Sequence, residues 1–271
     1  MDISFVKMHG LGNDFVIIDT RSKDINLTQS NIYHLADRRR GIGFDQLLIL
    51  KPALAGGDVF LDIKNPDGSA AEACGNGARC VAALLMDEKK YTKITIETSS
   101  RVLSCARNKD KEITVNMGAA ETDWNSIPLS TQCDTLNVRL DNSPLNECTC
   151  VNIGNPHAVF FCDNCEEIPI EEVGPIIENH AMFPNRTNVE FATIQSRKSI
   201  RMKVWERGAG QTAACGSGAC AVLVAAVRRG LVERKANVIL DGGVLDIEWT
   251  KDNSVLMKGP TTVSFQGILS V

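Results

Sequence analysis

The 271-residue sequence lacks the features that mark several large classes of protein. It has no block of like charges, and its 29 lysines and arginines nearly balance 33 aspartates and glutamates, which argues against nucleic acid as a partner. The longest uncharged stretch around an apolar run, Gly208–Val227, contains several glycines, a glutamine and a threonine. A membrane span needs about 20 predominantly apolar residues, so no membrane span is expected.

A secretory leader is also not expected. The first ten residues place an acid at Asp2 and contain no apolar core segment, so the sequence predicts a cytoplasmic protein. The ten cysteines would then lie in a reducing compartment, where thiols usually fill the core, bind metals or act in catalysis. Apolar residues make up 44% of the chain without glycine, which excludes disorder. The length suits one large domain or two ordinary ones.

Short β-runs dominate the sequence and helical patterns are few, which predicts an α+β fold. Examples of the runs are Phe15–Asp19, Leu47–Leu50, Val59–Asn65, Lys93–Glu97, Glu112–Asn116, Ala158–Cys162, Ile200–Trp205, Val244–Trp249 and Val255–Lys258. The helical patterns are Ser30–Arg38, Gly75–Glu88, Ile170–His180 and Gly216–Arg229. The second and fourth are mostly apolar on all sides, so we expect helices enclosed by sheet.

An internal repeat is the strongest signal of organisation. Residues 73–78 match residues 214–219 at every position except one, and Cys215 lies 141 residues after Cys74. Asn13 and Asn155, in related Gly-Asn motifs, are 142 residues apart, and Asn65 and Glu206 lie nine residues before their respective cysteines. The sequence therefore predicts two homologous halves related by a pseudo-twofold axis, at 1–118 and 119–262.

Each half carries Cys-Gly-x-Gly between a strand and an apolar helix. Glycines let the backbone approach a ligand closely, and the N–H groups of a first helical turn favour an anion. The helix dipole is expected to lower the pKa of a thiol at that position. Two such thiols flanking one carboxylate can remove a proton from one face of a carbon and supply one to the other. The repeat thus predicts inversion of a centre next to a carboxylate, with Cys74 and Cys215 as the bases.

The cysteines and histidines also allow other interpretations. A single buried cysteine next to glycines is more often part of the core, and Cys80 and Cys220, which do not coincide under the repeat, are interpreted as packing residues. Two pairs, Cys148-x-Cys150 and Cys162-x-x-Cys165, could form a thiolate metal site or a redox pair, although no zinc-knuckle glycine accompanies them. His157 begins a strand, where an exposed imidazole could tune a neighbour.

Eight motifs together resemble those of the diaminopimelate epimerase family. They are Met8–Phe15, Gly41–Gln46, Asn65–Ser69, Cys74–Cys80, Gly154–His157, Asn188–Phe191, Glu206–Gly210 and Ala214–Cys220. The resemblance implies two pseudo-symmetric halves, each a mostly antiparallel sheet wrapped around a central helix, with the active site in the cleft between them. It implies a last strand, near Thr261–Leu269, that returns to the first half, so that residues 263–271 belong with residues 1–118.

The resemblance also implies a cofactor-independent and metal-independent epimerase. It would convert LL-diaminopimelate to the meso form for lysine and peptidoglycan synthesis. The residues that match the family's site fall into four groups: the two bases Cys74 and Cys215; the carboxylate-binding Gly75, Asn76, Gly216 and Ser217; the site-lining Asn13 and Gln46; and Asn65, Asn155, Asn188, Glu206 and Arg207 for the distal end of the substrate. His157 and Glu206 would also adjust the thiols.

One departure from the family pattern is Gln211, which stands where a glutamate is expected. Two alternatives stay open: a sister enzyme acting on proline or hydroxyproline, and a non-catalytic thiol or metal-binding protein. The expected partner is a small molecule, and a homodimer is a further expectation.

Overall fold

The computed structural model describes residues 2–23, 25–71 and 74–270. These residues form two compact units. The first contains residues up to Val115 together with those from Gly259 onward, and the second contains Asn116–Lys258. Of the sequence features above, Ala73 of the repeat and the outermost residues of the predicted domains, 1 and 271, lie outside the described residues.

Short strands and a few helices make up both units. The elements up to the end of the seventh strand are β1 (Asp2–Gly10), β2 (Asn13–Asp19), α1 (Gln29–Ala36), β3 (Gln46–Lys51), β4 (Val59–Lys64), α2 (Gly75–Lys89), β5 (Lys93–Glu97), β6 (Val102–Arg107) and β7 (Ile113–Ala119). The next are β8 (Val138–Arg139), β9 (Glu147–Asn152), β10 (Pro156–Phe161), α3 (Ile170–Glu178), β11 (Asn188–Ser196), β12 (Ser199–Glu206), β13 (Gly210–Gln211) and α4 (Gly216–Arg228). The last are β14 (Lys235–Leu240), β15 (Gly243–Trp249), β16 (Ser254–Gly259) and β17 (Thr262–Ser270). The predicted α+β class is confirmed.

The first unit is a mostly antiparallel sheet that surrounds α2. Strand pairings run in the order β17, β1, β2, β3, β4, β5, β6, and only the β2–β3 and β4–β5 pairs among these are parallel. Helix α2 contacts β1 and β2 as well as β5 and β6. Because it touches strands from distant parts of this order, the sheet must curve around it.

The second unit repeats this arrangement around α4. Its strands pair in the order β8, β9, β10, β11, β12, β14, β15, β16, with parallel pairs only at β10–β11 and β12–β14 within this order. Helix α4 contacts the strands from β9 to β12 and also β14 and β15. The parallel pairs therefore fall at the same places in the strand order of each unit. In both units the central helix lies in the chain between the two strands of the second parallel pair. The predicted repeat of two homologous halves is confirmed.

The central helices are buried because their side chains are apolar on nearly every side. In α4, all seven residues of 220–226 are 0% exposed. Burial of a valine or leucine side chain contributes about 1.5–3 kcal/mol, so the helix supplies much of the core of its unit. In the described residues, no helix is long and apolar enough to cross a membrane.

Candidate active site

Each repeat cysteine is the N-cap of the central helix of its unit. Cys74 and Cys215 both have extended backbone, and their Sγ atoms accept hydrogen bonds from the N–H groups of Gly77 at 3.3 Å and Gly218 at 3.4 Å. Serine, threonine, aspartate or asparagine usually fills this position. A sulfur atom here lies at the positive end of the helix dipole, so each unit offers a thiol beside an anion-binding helix end.

The second glycine of each motif lies in a closely packed position. A Cβ atom at Gly77 would lie 3.3 Å from Cys74 Sγ and 3.1 Å from Leu48 Cδ1. A Cβ atom at Gly218 would lie 3.3 Å from Cys215 Sγ and 2.8 Å from Glu190 Oε1. The two contacts mark the same place in both units, but one neighbour is a leucine and the other is a glutamate.

Asn13 places a polar side chain beside Cys74 in the first unit. Its Oδ1 accepts a hydrogen bond from Asn76 Nδ2 at 3.1 Å and lies 3.9 Å from Cys74 Sγ, while its Nδ2 donates to Asp45 Oδ2 at 2.8 Å. Asp45 therefore turns the amide oxygen of Asn13 toward the thiol. Among the described residues, Gln46 Oε1 is buried without a hydrogen-bond partner, which leaves an acceptor for a ligand.

A network of opposite charges supports this arrangement. Arg38 donates to both Asp14 and Asp45, and Lys7 donates to Asp14. Burial alone would raise the pKa of Asp14, but the hydrogen bonds from Arg38 and Lys7 outweigh it and lower the pKa to about 2. Asp14 is thus ionised wherever the protein is folded near neutral pH. Asn65 lies apart from this network and donates to Ser69 Oγ at 3.0 Å.

The second thiol has a more acidic and more buried environment. Cys215 is 4% exposed, lies 3.5 Å from Ser217 Oγ and shares a hydrogen bond with Glu206, which also accepts from Thr212. Burial first, and then the charges of Glu206 and Glu190, raise the pKa of the Cys215 thiol well above its usual value. The expectation of a lowered pKa is wrong for this thiol, because desolvation and two carboxylates outweigh the helix dipole. Burial likewise raises the pKa of Glu206.

His157 is fully buried, so the expectation of an exposed strand-end histidine is wrong. Its Nδ1 lies 2.6 Å from Glu190 Oε1 and its Nε2 lies 2.9 Å from Asn155 Oδ1. An amide oxygen only accepts, so Nε2 carries a hydrogen. The short distance between Nδ1 and Glu190 Oε1 joins the imidazole to the carboxyl group in a buried hydrogen bond.

Asn188 and Arg207 are joined through the backbone. Asn188, 3% exposed, donates to the carbonyl of Pro156 at 2.9 Å and accepts from the N–H of Arg207 at 3.0 Å. The guanidinium of Arg207 donates to the carbonyl of Asn185 at 3.2 Å. Asn188 therefore fixes the strand end that carries Glu206 and Arg207.

The structure thus gathers Asn13 and Asn76 around Cys74 in the first unit. In the second it gathers Ser217, Glu206 and Glu190 around Cys215. The sequence motifs alone assign no role to Glu190. The available signal was a glutamate within an otherwise apolar strand segment, Val189–Ala192.

The remaining cysteines lie mostly in the core. Cys80 and Cys220 are 0% exposed, and burial raises the pKa of Cys80 to about 12. One apolar cluster of the second unit contains the two proposed cysteine pairs, with Cys162 at its partly buried margin. Across the ranges that the structure describes, no group of three or more histidine, cysteine, aspartate or glutamate side chains is placed to hold a metal ion.

Comparison with known proteins identifies the family. The family model described as diaminopimelate epimerase matches residues 5–122 and 149–264. The diaminopimelate epimerase of Rhodospirillum centenum is 49% identical over 98% of this chain and 92% of its own length. That of Gluconobacter oxydans is 48% identical over 98% of this chain and 99% of its own. The chain belongs to the diaminopimelate epimerase family. Its relatives are isomerases that act on an amino acid.

Solved structures of lower identity share the fold. A phenazine biosynthesis protein of the PhzF family from Bacillus anthracis superposes with a TM-score of 0.71 over 100% of both chains at 12% identity. A hydroxyproline epimerase from Agrobacterium vitis superposes with a TM-score of 0.69 over 99% of this chain and 92% of its own at 14% identity. These likenesses extend the two-unit α+β fold beyond the family.

Proposed function

We propose that this chain epimerises LL-diaminopimelate to meso-diaminopimelate with Cys74 and Cys215 as its two acid–base groups. The observation that carries the proposal is the matched pair of cysteine N-caps, one on the central helix of each unit, in a member of this family. One thiolate takes the α-proton from one face, and the opposite thiol delivers its own proton to the other face. The product has the inverted centre, and the two sulfur atoms have exchanged protonation states.

The surroundings of Cys215 suggest which thiol starts with a proton. Because burial and two carboxylates raise the pKa of Cys215, we assign it as the proton donor of the resting enzyme and Cys74 as the first base. Negative charge that develops on the substrate's α-carboxylate would be met by the N–H groups of Gly75, Asn76, Gly216 and Ser217 at the two helix ends.

The distal end of diaminopimelate is a second amino acid group, so the site needs side chains that bind its carboxylate and ammonium groups. Arg207 can bind a carboxylate bidentately, and amide side chains can supply further donors and acceptors. We assign this role to Arg207 with Asn65, Asn155, Asn188 and Glu206, while Asn13 and Gln46 line the site. Gln46 Oε1 is buried and has no hydrogen-bond partner in the part of the chain that the structure describes, which supports its assignment, since an ammonium group would satisfy it.

The same proposal includes further expectations carried from the sequence. The substrate, a small molecule, would bind in a cleft between the two halves. The enzyme would be cytoplasmic and would form a homodimer. The family's use of two thiols would require neither a cofactor nor a metal.

Solvent deuterium incorporation tests the proposed function directly. Purified, reduced protein in deuterium oxide should label the α-carbon of LL-diaminopimelate and produce the meso isomer. Proline, hydroxyproline and lysine serve as comparison substrates, because none carries the second amino acid head. If proline were labelled as efficiently as diaminopimelate, the chain would instead be a sister racemase. If no substrate were labelled, the proposal would be rejected.

A further inference from the structure

The second thiol site contains a buried acid–base pair that the proposed mechanism does not use. His157 and Glu190 are both 0% exposed, and their closest nitrogen and oxygen atoms are 2.6 Å apart. Glu190 Oε2 is buried and has no hydrogen-bond partner among the described residues. An unsatisfied buried carboxylate oxygen is costly, so a purely structural role explains this glutamate poorly.

The first unit holds an apolar pair at the same two positions. The parallel pairing of β2 with β3 aligns Phe15 with Gln46, and that of β10 with β11 aligns His157 with Asn188. Two residues further along β3 and β11 lie Leu48 and Glu190. Phe15 and Leu48 are fully buried, and so are His157 and Glu190, which hold the equivalent positions in the second unit.

Leu48 and Glu190 also contact equivalent atoms at the helix ends. A Cβ atom at Gly77 would lie 3.1 Å from Leu48 Cδ1, and one at Gly218 would lie 2.8 Å from Glu190 Oε1. The N–H groups of these glycines donate to the two thiols. The repeat thus supplies an internal reference: Leu48 lies against the first helix end and Glu190 against the second, with Phe15 and His157 at equivalent positions on the neighbouring strands.

Charged and titratable groups face Cys215 and Glu190 from several elements. His157 comes from β10, Glu206 from the end of β12 and Cys150 from β9. Arg228, near the C-terminus of α4, donates to the carbonyl of Cys150. On β14 and β15, Lys235 pairs with Asp246 and Glu248 at the surface. A thiolate at Cys215 would therefore add negative charge next to two carboxylates, with His157 as the nearby group that can offset it.

We propose that Glu190 is a positioning residue that makes the two thiols unequal. It holds His157 and places a carboxylate against the first turn of α4, which keeps the proton on Cys215. The first turn of α2 meets Leu48 at the equivalent place, and Cys74 acts as the base. Glu190 acts through this field and through His157 and does not contact substrate. The inference rests on the proposed function, since it explains how one thiol starts as the acid.

Site-resolved alkylation across a pH series measures the effect without requiring activity. A small alkylating reagent and peptide mass spectrometry give the pH midpoint at which Cys215 reacts. In Glu190→Gln, this midpoint should fall by about one pH unit, the size expected when a like charge leaves a buried site. The pH profile of kcat/KM should shift in the same direction. Glu97→Gln, which removes a buried glutamate of the first unit, should leave the Cys215 midpoint unchanged.

A second variant tests the same inference if Glu190→Gln does not fold. The double variant His157→Phe/Glu190→Leu installs the pair that the first unit already uses at these positions, and it should also lower the Cys215 midpoint. An unchanged midpoint in either variant, once folded, overturns the inference while leaving the proposed function intact. If wild-type protein fails to label diaminopimelate, the proposed function fails, whatever the alkylation profile.

Discussion

The two cysteine sites share a backbone and differ in the side chains around it. Both thiols cap a buried helix, and both accept from the third residue of that helix. Near Cys74 lie the amides of Asn13 and Asn76, with Asn13 oriented by Asp45. Near Cys215 lie the Ser217 hydroxyl and two carboxyl groups, and burial is greater. The repeat therefore preserves geometry, while the side chains determine how readily each thiol gives up its proton.

The corresponding asparagines illustrate the same divergence. Asn13 donates to Asp45, within a partly exposed network that also contains Arg38 and Asp14. Asn155 instead accepts from buried His157. One half fixes its amide with charges near solvent, and the other fixes it with a pair in the core. A change in pH should therefore act on the two sites through different groups.

The largest expected effect comes from removal of either thiol. Cys74→Ala and Cys215→Ala should each lower kcat for epimerisation by at least roughly 100-fold, the low end of the contribution of a positioned acid or base. Each variant leaves one face of the α-carbon without a proton donor or acceptor. Circular dichroism and the unfolding midpoint check that the fold is retained.

The packing cysteines provide the matched control for this prediction. Cys80→Ala and Cys220→Ala remove buried thiols one turn or more into the same helices, so they should reduce stability and retain most of the epimerisation rate. Substantial activity in Cys74→Ala or Cys215→Ala would contradict the two-base assignment.

The next effect concerns recognition of the distal end of the substrate, to which we assign Arg207 of the second half. Arg207→Met should lower kcat/KM for diaminopimelate by roughly 10- to 100-fold, since one charge-assisted contact contributes about 1.5–3 kcal/mol. Most of the loss should appear in KM, with Cys215 alkylation unchanged. Arg197→Met, at a surface turn of the same unit where Arg197 contacts the carbonyl of Gly230, should have little effect. Equal losses in both variants would argue against a specific clamp.

A third prediction tests the charge network that supports the first thiol site. In the unfolded chain Asp14 should titrate near 3.8, whereas in the folded protein its pKa is about 2. Its ionised form therefore contributes stability that is fully present above the unfolded value and is lost as pH falls through the folded one. The difference in unfolding free energy between wild type and Asp14→Asn should shrink by about 2 kcal/mol between about pH 6 and pH 2.

Denaturant unfolding over this pH range measures the change. Asp87→Asn is the control, because Asp87 pairs with Arg107 at the surface and its side chain is 70% exposed. An exposed pair contributes little, so its difference from wild type should stay nearly constant. The same constancy in Asp14→Asn would contradict the role of this network.

Much of this organisation could be predicted from local sequence patterns. The apolar helices begin at Gly75 and Gly216 as expected, because a cap followed by glycines and a long apolar run is a local signal. The repeat also placed the two cysteines in equivalent positions. The domain limits at 1–118 and 119–262 and the roles of the site residues remain predictions.

What could not be predicted depends on contacts between distant segments. The contact between His157 and Glu190 joins residues 33 positions apart through a parallel strand pair, and no local pattern specifies that register. Without this contact, the sequence predicts an exposed His157 and a lowered pKa for the Cys215 thiol. A helix end alone favours a thiolate, and only the packed neighbours reverse that preference.

The smallest effect we predict compares the two glycines that donate to the thiols. Gly77→Ala and Gly218→Ala gain the same helix propensity, about 1 kcal/mol, but they meet different neighbours. At Gly77 the new Cβ would lie 3.1 and 3.2 Å from the Leu48 methyl groups, which can move by a few tenths of an ångström. At Gly218 it would lie 2.8 Å from Glu190 Oε1, which is held by His157. We expect Gly77→Ala to stay within about 1 kcal/mol of wild type in unfolding free energy, and Gly218→Ala to lose about 1–3 kcal/mol.

A double-mutant cycle then separates the glutamate from the helix end itself. In a Glu190→Leu background the position behind Gly218 resembles that behind Gly77, so the cost of Gly218→Ala should fall toward that of Gly77→Ala. Residues in direct contact give coupling energies of about 0.5–3 kcal/mol in such cycles. A coupling energy near zero would mean that the two helix ends differ for a reason other than Glu190. The contrast between the two thiol sites would then have to be sought in Glu206, which also faces Cys215.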